Sequence, residues 1–98
     1  MSAFELSPRA RIDLLEIWER IARDDIDTAD RVVAKIEDTI RLIASRPRMG
    51  HPRRELLPDR FLFHSVYSWQ IIYAPDSLPL RVYRIWHGAQ EKPEIPDP

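Results

Sequence analysis

Two consecutive stretches near the N-terminus carry an apolar stripe at helical spacing, and this pattern limits the folds open to the chain. The first stretch, 8–23, has Asp13, Glu16, Glu19 and Arg20 largely opposite its stripe of Ala10, Leu14, Leu15, Trp18, Ile21 and Ala22. The stripe of the second, 27–45, consists of Ala29, Val32, Val33, Ile36, Ile40 and Ile43. This spacing predicts two amphipathic helices, and the short connection predicts an antiparallel hairpin. Neither helix can bury its stripe alone, so a sheet must cover them.

The residues at the ends of these stretches support the two helices. Ser7-Pro8 predicts a serine N-cap followed by proline at the first helical position, where its missing N–H costs nothing. Asp27 can cap the second helix. The second helix should end near Ser45, because the residue before Pro47 avoids helical backbone angles.

The remaining apolar segments predict the sheet. Residues 4–6 alternate as a short first strand, and 61–66, 69–74 and 80–87 are rich in aromatic and β-branched residues. Alternation in the last strand places Leu80, Val82, Arg84 and Trp86 on one face, with Arg81, Tyr83, Ile85 and His87 on the other. The expected fold is α+β with the order β-α-α-β-β-β, an antiparallel sheet packed on an α-helical hairpin. We expect one domain over 1–90 and an irregular proline-rich tail over 91–98.

Composition narrows the classes of protein that fit. The chain has 98 residues and no cysteine, which excludes a disulfide framework or a thiolate zinc site. It has neither a signal-peptide pattern nor a membrane-length apolar segment, so we expect a cytoplasmic location with no membrane contact. Ten acidic and six basic residues fall in 1–38, whereas eight arginines face three acids in 39–88. This asymmetry suits an anionic or acidic partner, although ordinary solvated surface charge would give the same count.

Few residues qualify for catalysis or metal binding. The three histidines, His51, His64 and His87, lie outside the helices and have no metal-ligand spacing, so no metal or cofactor is predicted. With Gly50 and Gly88 as its two glycines, the chain can form no phosphate-binding glycine loop. His87, at a strand end, is the one candidate for general acid–base chemistry, and that role needs a proton-transfer partner beside it. Otherwise His87 marks the end of the strand.

A cluster of arginines is the strongest charged feature. A loop that contains Pro47, Gly50, Pro52 and Pro58 contributes most of the candidate partner-binding residues, namely Arg46, Arg48, Arg53, Arg54 and Arg60. The other two candidates, Arg81 and Arg84, are predicted on opposite faces of the sheet. They could hold phosphates or an acidic segment of a partner. Alternatively, the loop is solvated and one or two arginines pair with Glu55 or Asp59.

Several segments together resemble the RelE/ParE superfamily of toxins, and most closely its ParE, or plasmid-stabilisation, branch. They are DLLEIWERIARDD, AxRVVxKIEDTI, LIASRPRMGHPRREL, YSWQIIY and RVYRIWHG, in order over about residues 3–90. The more specific ones are the P-x-x-G-x-x-R-x-E-L stretch from Pro47 to Leu56 and the last strand ending in His-Gly. The resemblance implies the β-α-α-β-β-β fold and the toxin of a type II toxin–antitoxin system.

The resemblance also implies partners and a target. A cognate antitoxin wraps an extended segment over such a toxin, often in a heterotetramer. ParE members trap DNA gyrase, whereas RelE-like relatives cleave mRNA in the ribosome. The ribonucleases often carry basic residues where this chain has Gln70 and Ala89-Gln90-Glu91, and several use a tyrosine beyond position 83, which is missing here. His87 matches a position where some of them have a working histidine.

We therefore predict a non-enzymatic ParE-like gyrase inhibitor that has no sequence-specific nucleic-acid binding of its own. A RelE-like ribosome-dependent mRNA endonuclease and a degenerate antitoxin-binding module are the alternatives. We expect the antitoxin to bury apolar side chains against the helical hairpin and an exposed sheet edge, and its acidic residues to pair with the arginines of the basic half.

Overall fold

The computed structural model describes residues 3–88 and 92–96, and its elements follow the predicted order. They are β1 (Phe4–Leu6), α1 (Pro8–Ala22), α2 (Ile26–Ser45), a 3-10 turn (Pro47–Met49), β2 (Leu62–Val66), β3 (Trp69–Ala74) and β4 (Leu80–His87). Two helices pack against one four-stranded sheet. The predicted α+β class and element order are confirmed.

The sheet is mixed, whereas the sequence predicts an antiparallel one. Its strand order is β1-β4-β3-β2. β2–β3 and β3–β4 are antiparallel, as expected for consecutive strands joined by short turns. β1 lies parallel to β4, with Phe4 opposite Leu80 and Leu6 opposite Val82. The local pattern of β1 predicts a strand but carries no information on its distant partner, which is why its direction in the sheet differs from the expectation.

A β-bulge interrupts the alternation of β4. Ile72 pairs with Arg84 while the next residue, Tyr73, pairs with Val82, so Tyr83 is an extra residue on β4. Such an insertion shifts every later side chain to the opposite face. The predicted faces of β4 are therefore wrong from Arg84 onwards, whereas Tyr83 shares a face with Arg81 as predicted.

The consequence reaches two of the candidate arginines. Arg81 and Arg84 lie opposite Ala74 and Ile72, two alternate residues of β3 that share one face. Both arginines thus start from the face of the sheet turned away from the helices, instead of from opposite faces.

The buried face of α1 is rotated relative to its predicted stripe. Ala10, Asp13 and Ile17 are the buried residues of this helix, and Leu15 is 56% exposed. Leu15 was expected inside and Asp13 outside, and both expectations are wrong. The spacing 10, 13, 17 is still helical, but it centres on an aspartate because Asp13 bonds to β4, as described below.

The two helices have different N-cap residues. Ser7 caps α1 as predicted: its Oγ accepts from Ala10 N at 3.1 Å and donates to the carbonyl of the bulge residue Tyr83 at 2.9 Å. Asp25, not Asp27, caps α2, and its Oδ1 accepts from Thr28 N at 3.2 Å. This bond lowers the pKa of the Asp25 carboxyl. No helix in the described part of the chain is long and apolar enough to span a membrane.

Both faces of the sheet carry an apolar cluster. The larger lies between the helices and the sheet and includes Ile36, Ile40 and Ile43 of α2. The smaller lies on the outer face and consists of Phe61, Phe63, Ile72 and Trp86, with Leu56, Leu57, Tyr83 and Ile95 packed against it. The outer face is therefore covered by the arginine-rich loop and by the tail rather than by a helix.

Candidate functional site

His87 lies at the last position of β4 beside an aromatic neighbour on β3. It pairs in register with Trp69, and the two ring centroids are 6.4 Å apart at an interplanar angle of 78°. The His87 side chain is half-buried. A strand carries it to a fixed place at one end of the sheet, next to the C-terminal half of α1.

A groove with two lobes surrounds Trp69 and His87, and we call it the Trp69 groove. Arg20 of α1 lines both lobes together with these two residues. The first lobe, about 290 Å³, lies between α1 and β4, with Ile17 and Ile85 in its wall. The second, about 550 Å³, lies between the helix connection and the β2–β3 turn; its remaining lining residues are Ile21, Asp24, Asp25, Thr28 and Ser68.

A buried ion pair forms the inner wall of the first lobe. Arg84 Nε donates to Asp13 Oδ2 at 2.8 Å and Arg84 Nη2 donates to Oδ1 at 3.3 Å. The backbone N–H of Ile85 donates to the same carboxylate at 3.0 Å. Both side chains are at most 10% exposed. Arg84 was predicted to contact a partner, but its guanidinium is used inside the protein, and it offers little surface to another molecule.

Two arginines that line the first lobe, Arg20 and Arg23, are not neutralised by any acid within the described part of the chain. Arg9 bonds to Asp13 at 3.2 Å and approaches Glu16 at 3.9 Å. Among the described residues, no ion pair or hydrogen bond involves the side chains of Arg20 and Arg23. Both are exposed in the last turn of α1 and its C-cap, where the helix dipole favours positive charge.

The turn beside the groove holds a backbone outlier. Tyr67 has a φ of 53°, in the left-handed region that bulky side chains rarely adopt. A two-residue hairpin turn requires such an angle, usually from glycine or asparagine. Tyr67 is 62% exposed, and its ring stands edge-on to that of Trp69, with centroids 6.3 Å apart. Tyr67, Trp69 and His87 thus form one aromatic row.

The ribonuclease alternative depends on basic groups near His87, and the pairing of β3 with β4 shows where Gln70 lies relative to this histidine. Gln70, which replaces a basic residue common in those relatives, pairs with Trp86 and donates to Ser65 Oγ at 2.8 Å. Because Gln70 follows Trp69 in β3, it points to the face opposite His87. Ala89, Gln90 and Glu91 lie outside the described residues. No metal-binding group of acidic or histidine side chains occurs in the ranges 3–88 and 92–96.

The arginine-rich loop pairs largely with its own acids. Arg53 bonds to Glu55 at 3.2 Å and Arg54 to Asp59 at 2.7 Å, as one of the two interpretations of this loop predicts. Three further arginines of the loop are exposed. Arg48 pairs with Asp76, and Arg46 is the C-cap residue of α2. The guanidinium carbon of Arg60 lies 4.9 Å from the Phe61 ring centroid. Surface pairs of this kind contribute little free energy, so a partner's carboxylate could replace them. Arg81 differs, since it is mostly buried and bonds to Glu5 at 2.9 Å.

The P-x-x-G stretch of this loop has a structural role. Tyr73 Oη donates to the Pro47 carbonyl at 2.7 Å and accepts from the Gly50 N–H at 2.9 Å. Burial raises the pKa of the Tyr73 hydroxyl above its ordinary value, so it stays protonated and can donate. His51 then pairs with Phe63 at the edge of β2. These bonds tie the loop to the sheet.

A second exposed surface lies at the opposite end of β4, along β1. Phe4, Leu6, Leu78 and Pro79 line a groove of about 800 Å³ there, and Arg11 of α1 completes it. β1 is an edge strand of the sheet. Two further apolar side chains of α1, Ile12 and Leu15, are 46% and 56% exposed. We call the groove lined by Phe4, Leu6, Arg11, Leu78 and Pro79 the β1 edge.

Of the residues that line the Trp69 groove, sequence reasoning singled out His87 and Arg84 and missed the others. Arg20 and Arg23 read as ordinary solvated charges, and nothing local distinguishes them from other exposed arginines. Tyr67 offered a weak signal, because a Tyr-Ser pair between two strand-like runs leaves no glycine or asparagine for the tight turn. The spacing of Asp13 is a clearer signal that its side chain is buried, since Asp13 lies three residues after Ala10 and four before Ile17.

The fold is shared with a known toxin–antitoxin structure. A chain of the solved "Chromosomal ParDE TA system from P. aeruginosa" superimposes with a TM-score of 0.72 at 14% sequence identity. The alignment covers 89% of this chain and 96% of that chain. At this level of identity, the match establishes the architecture that the two chains have in common.

The family follows from a match at the level of sequence. The model of the ParE toxin of the type II toxin–antitoxin system, parDE, matches residues 4–92. The chain therefore belongs to the ParE toxin family and is a ParE-type toxin of a type II toxin–antitoxin system, as the resemblance implies. No curated protein sequence gives a significant match.

Proposed function

We propose that this toxin acts in the cytoplasm by binding DNA gyrase and blocking replication, without catalysis of its own, and that a cognate antitoxin neutralises it. Membership of the ParE family carries the proposal. The surface chemistry supports it, because large apolar side chains such as Ile12, Leu15 and Tyr67 are exposed, as on surfaces that bind another protein.

For the antitoxin, we propose the β1 edge as the docking surface. An extended segment can pair with the unpaired side of an edge strand and place side chains in neighbouring pockets. Phe4 and Leu6 would receive apolar side chains, and Arg11 would bind a carboxylate. A helix of the antitoxin would cover Ile12 and Leu15, and two copies of each chain would form the heterotetramer.

The decisive experiment measures supercoiling and DNA cleavage by purified gyrase in the presence of the toxin. We expect ATP-dependent accumulation of cleaved DNA, and prior addition of the antitoxin should abolish it. Unchanged supercoiling at a large molar excess of active toxin would refute gyrase as the target.

One outcome favours the ribonuclease alternative, for which the place of His87 in a groove is the supporting observation. In that case ribosome-bound message is cut at codon-defined positions, and His87→Ala abolishes the cuts. If His87→Ala leaves growth arrest intact, His87 is not catalytic. Normal growth on expression without the antitoxin would instead indicate a degenerate antitoxin-binding module.

A further inference from the structure

We propose that the Trp69 groove is the surface with which the toxin binds its target, and that it receives an acidic segment of that target protein. The identity of the target as gyrase rests on the proposed function, whereas the location and chemistry of the site rest on the groove itself. Of the seven arginines that the sequence pointed to, Arg84 alone lines this groove, and its guanidinium is bonded to Asp13.

The charges that remain after internal pairing define the ligand. In the first lobe, Asp13 is occupied by Arg84, and Arg9 bonds to Asp13 and approaches Glu16. Arg20 and Arg23 then face solvent, and Glu19 is the one described acid lining this lobe for which the structure shows no ion pair. A guanidinium pair of this kind suits a carboxylate, which it can bind with charge-assisted hydrogen bonds.

The second lobe argues against a nucleic acid as the ligand. Asp24 and Asp25 line it within the same groove, on the other side of Trp69. A duplex carries one negative charge about every 1.7 Å of its axis, so a phosphate backbone laid along the groove would meet these carboxylates. A protein segment avoids the repulsion, because it can place an acidic side chain at Arg20 and Arg23 and a basic or neutral one beside Asp24.

The aromatic row supplies the apolar part of the site. Tyr67 is held at a positive φ with its ring exposed, edge-on to Trp69, which in turn contacts His87. Strain of this kind persists where the surrounding structure imposes it, and it occurs often at binding sites. Rigid aromatic side chains beside arginines are the common anchors of protein interfaces. In this arrangement His87 supports Trp69 and takes part in no proton transfer.

The groove and the β1 edge lie at opposite ends of the sheet. β4 begins at Leu80, opposite Phe4 of β1, and ends at His87, opposite Trp69. Seven residue steps at about 3.3 Å separate the two ends by about 23 Å. An antitoxin segment on the β1 edge and a target segment in the groove therefore need not share residues, so the two interactions can be disrupted separately.

The test compares three double variants with the wild-type chain. Arg20→Glu/Arg23→Glu reverses the two cations of the groove, and Arg20→Lys/Arg23→Lys keeps their charge. Lys35→Glu/Lys92→Glu makes the same charge change at two exposed positions that line neither the groove nor the β1 edge. Each is measured for binding to purified gyrase, for affinity to the antitoxin and for growth arrest on expression, with circular dichroism to check folding.

Reversal of the groove charges should weaken gyrase binding at least tenfold and abolish growth arrest, while antitoxin affinity changes by less than about threefold. The lysine variant should lose only part of the binding, because lysine keeps the charge but not the paired donors. The control variant should match the wild type within about twofold. Growth arrest by Arg20→Glu/Arg23→Glu equal to that of the wild type would overturn the inference.

The same measurements separate this inference from the proposed function. If the wild type arrests growth without affecting gyrase, gyrase is refuted as the target. In that case, loss of growth arrest in Arg20→Glu/Arg23→Glu with retained antitoxin affinity still supports the groove. Cleavage of ribosome-bound message by the wild type would place a nucleic acid there and overturn the acidic-protein ligand. A wild-type chain that leaves growth unaffected refutes both.

Discussion

Gly50 shows how one residue of a recognisable motif can be required by packing. A Cβ at this position would lie 2.5 Å from Tyr73 Oη and 2.9 Å from the Phe63 carbonyl oxygen. The backbone of Gly50 has a φ of −76°, which any residue adopts, so glycine is needed for space and not for conformation. The Tyr73 hydroxyl must approach this closely in order to bond to the Gly50 N–H.

We expect Gly50→Ala to lower the free energy of unfolding by about 1–3 kcal/mol, because the added methyl group displaces Tyr73 and disrupts its two hydrogen bonds. Chemical denaturation measures the change. Gly88→Ala is the matched control, since nothing lies within 4 Å of its added Cβ. Equal stability of the two variants would show that the loop adjusts without cost.

A buried ion pair and a hydrogen bond from a backbone N–H join α1 to the end of β4. β1 pairs with β4 only as far as Val82, so the backbone of β4 beyond that point has no neighbouring strand on this side. The Asp13 carboxylate takes the place of a strand for Ile85 N–H and also neutralises Arg84. A carboxylate with three donors in a buried position explains why the apolar stripe of α1 contains an aspartate.

Asp13→Ala should destabilise the protein by about 3–5 kcal/mol, because it leaves Arg84 charged, buried and unpaired. Asp38→Ala provides the comparison: Asp38 also pairs with an arginine, Arg41, at 2.9 Å, but this pair is exposed. Its loss should cost less than about 1 kcal/mol. Thermal or urea unfolding of both variants measures the difference, and similar losses would contradict the role assigned to Asp13.

The whole molecule covers the two faces of its sheet by different means. Helices bury the inner face, whereas the outer cluster is closed by a loop and by residues 92–96, which form neither helix nor strand. Pro93 is buried, Ile95 packs on the cluster, and the Glu94 carbonyl accepts from Arg84 Nη1 at 2.8 Å. The tail therefore contributes to the core, although the division into a domain of 1–90 and a tail of 91–98 stays a prediction.

Ile95→Asp should loosen this cover and expose Phe61, Phe63 and Trp86. We expect increased fluorescence of a hydrophobic dye and a loss of about 1–2 kcal/mol of stability, since an apolar contact is replaced by a charge. Leu78→Asp is the control, because Leu78 is 94% exposed and loses no packing. Equal dye binding by the two variants would show that the tail does not cover the outer face.

Local patterns in the amino-acid sequence predict the elements of this protein and their order. Helical stripes, a Ser7-Pro8 start and three strand-like runs are local patterns, and local backbone preferences decide them. The same patterns carry the resemblance to the ParE family, which is why the class of protein was available before the structure. The histidine at the end of β4 was likewise visible as a candidate.

Which side chains meet depends on how distant segments pack in three dimensions. The parallel partner of β1 and the bulge at Tyr83 depend on pairing between distant segments, and the bulge reversed the faces predicted for Arg84 and Trp86. Asp13 is inside because β4 needs an acceptor there. Asp13 and Glu16, which line the same lobe as Arg20, lie against Arg84 and Arg9, and Arg20 forms no ion pair within the described part of the chain. Contacts of this kind are set by three-dimensional packing over long sequence separations, and no local periodicity records them.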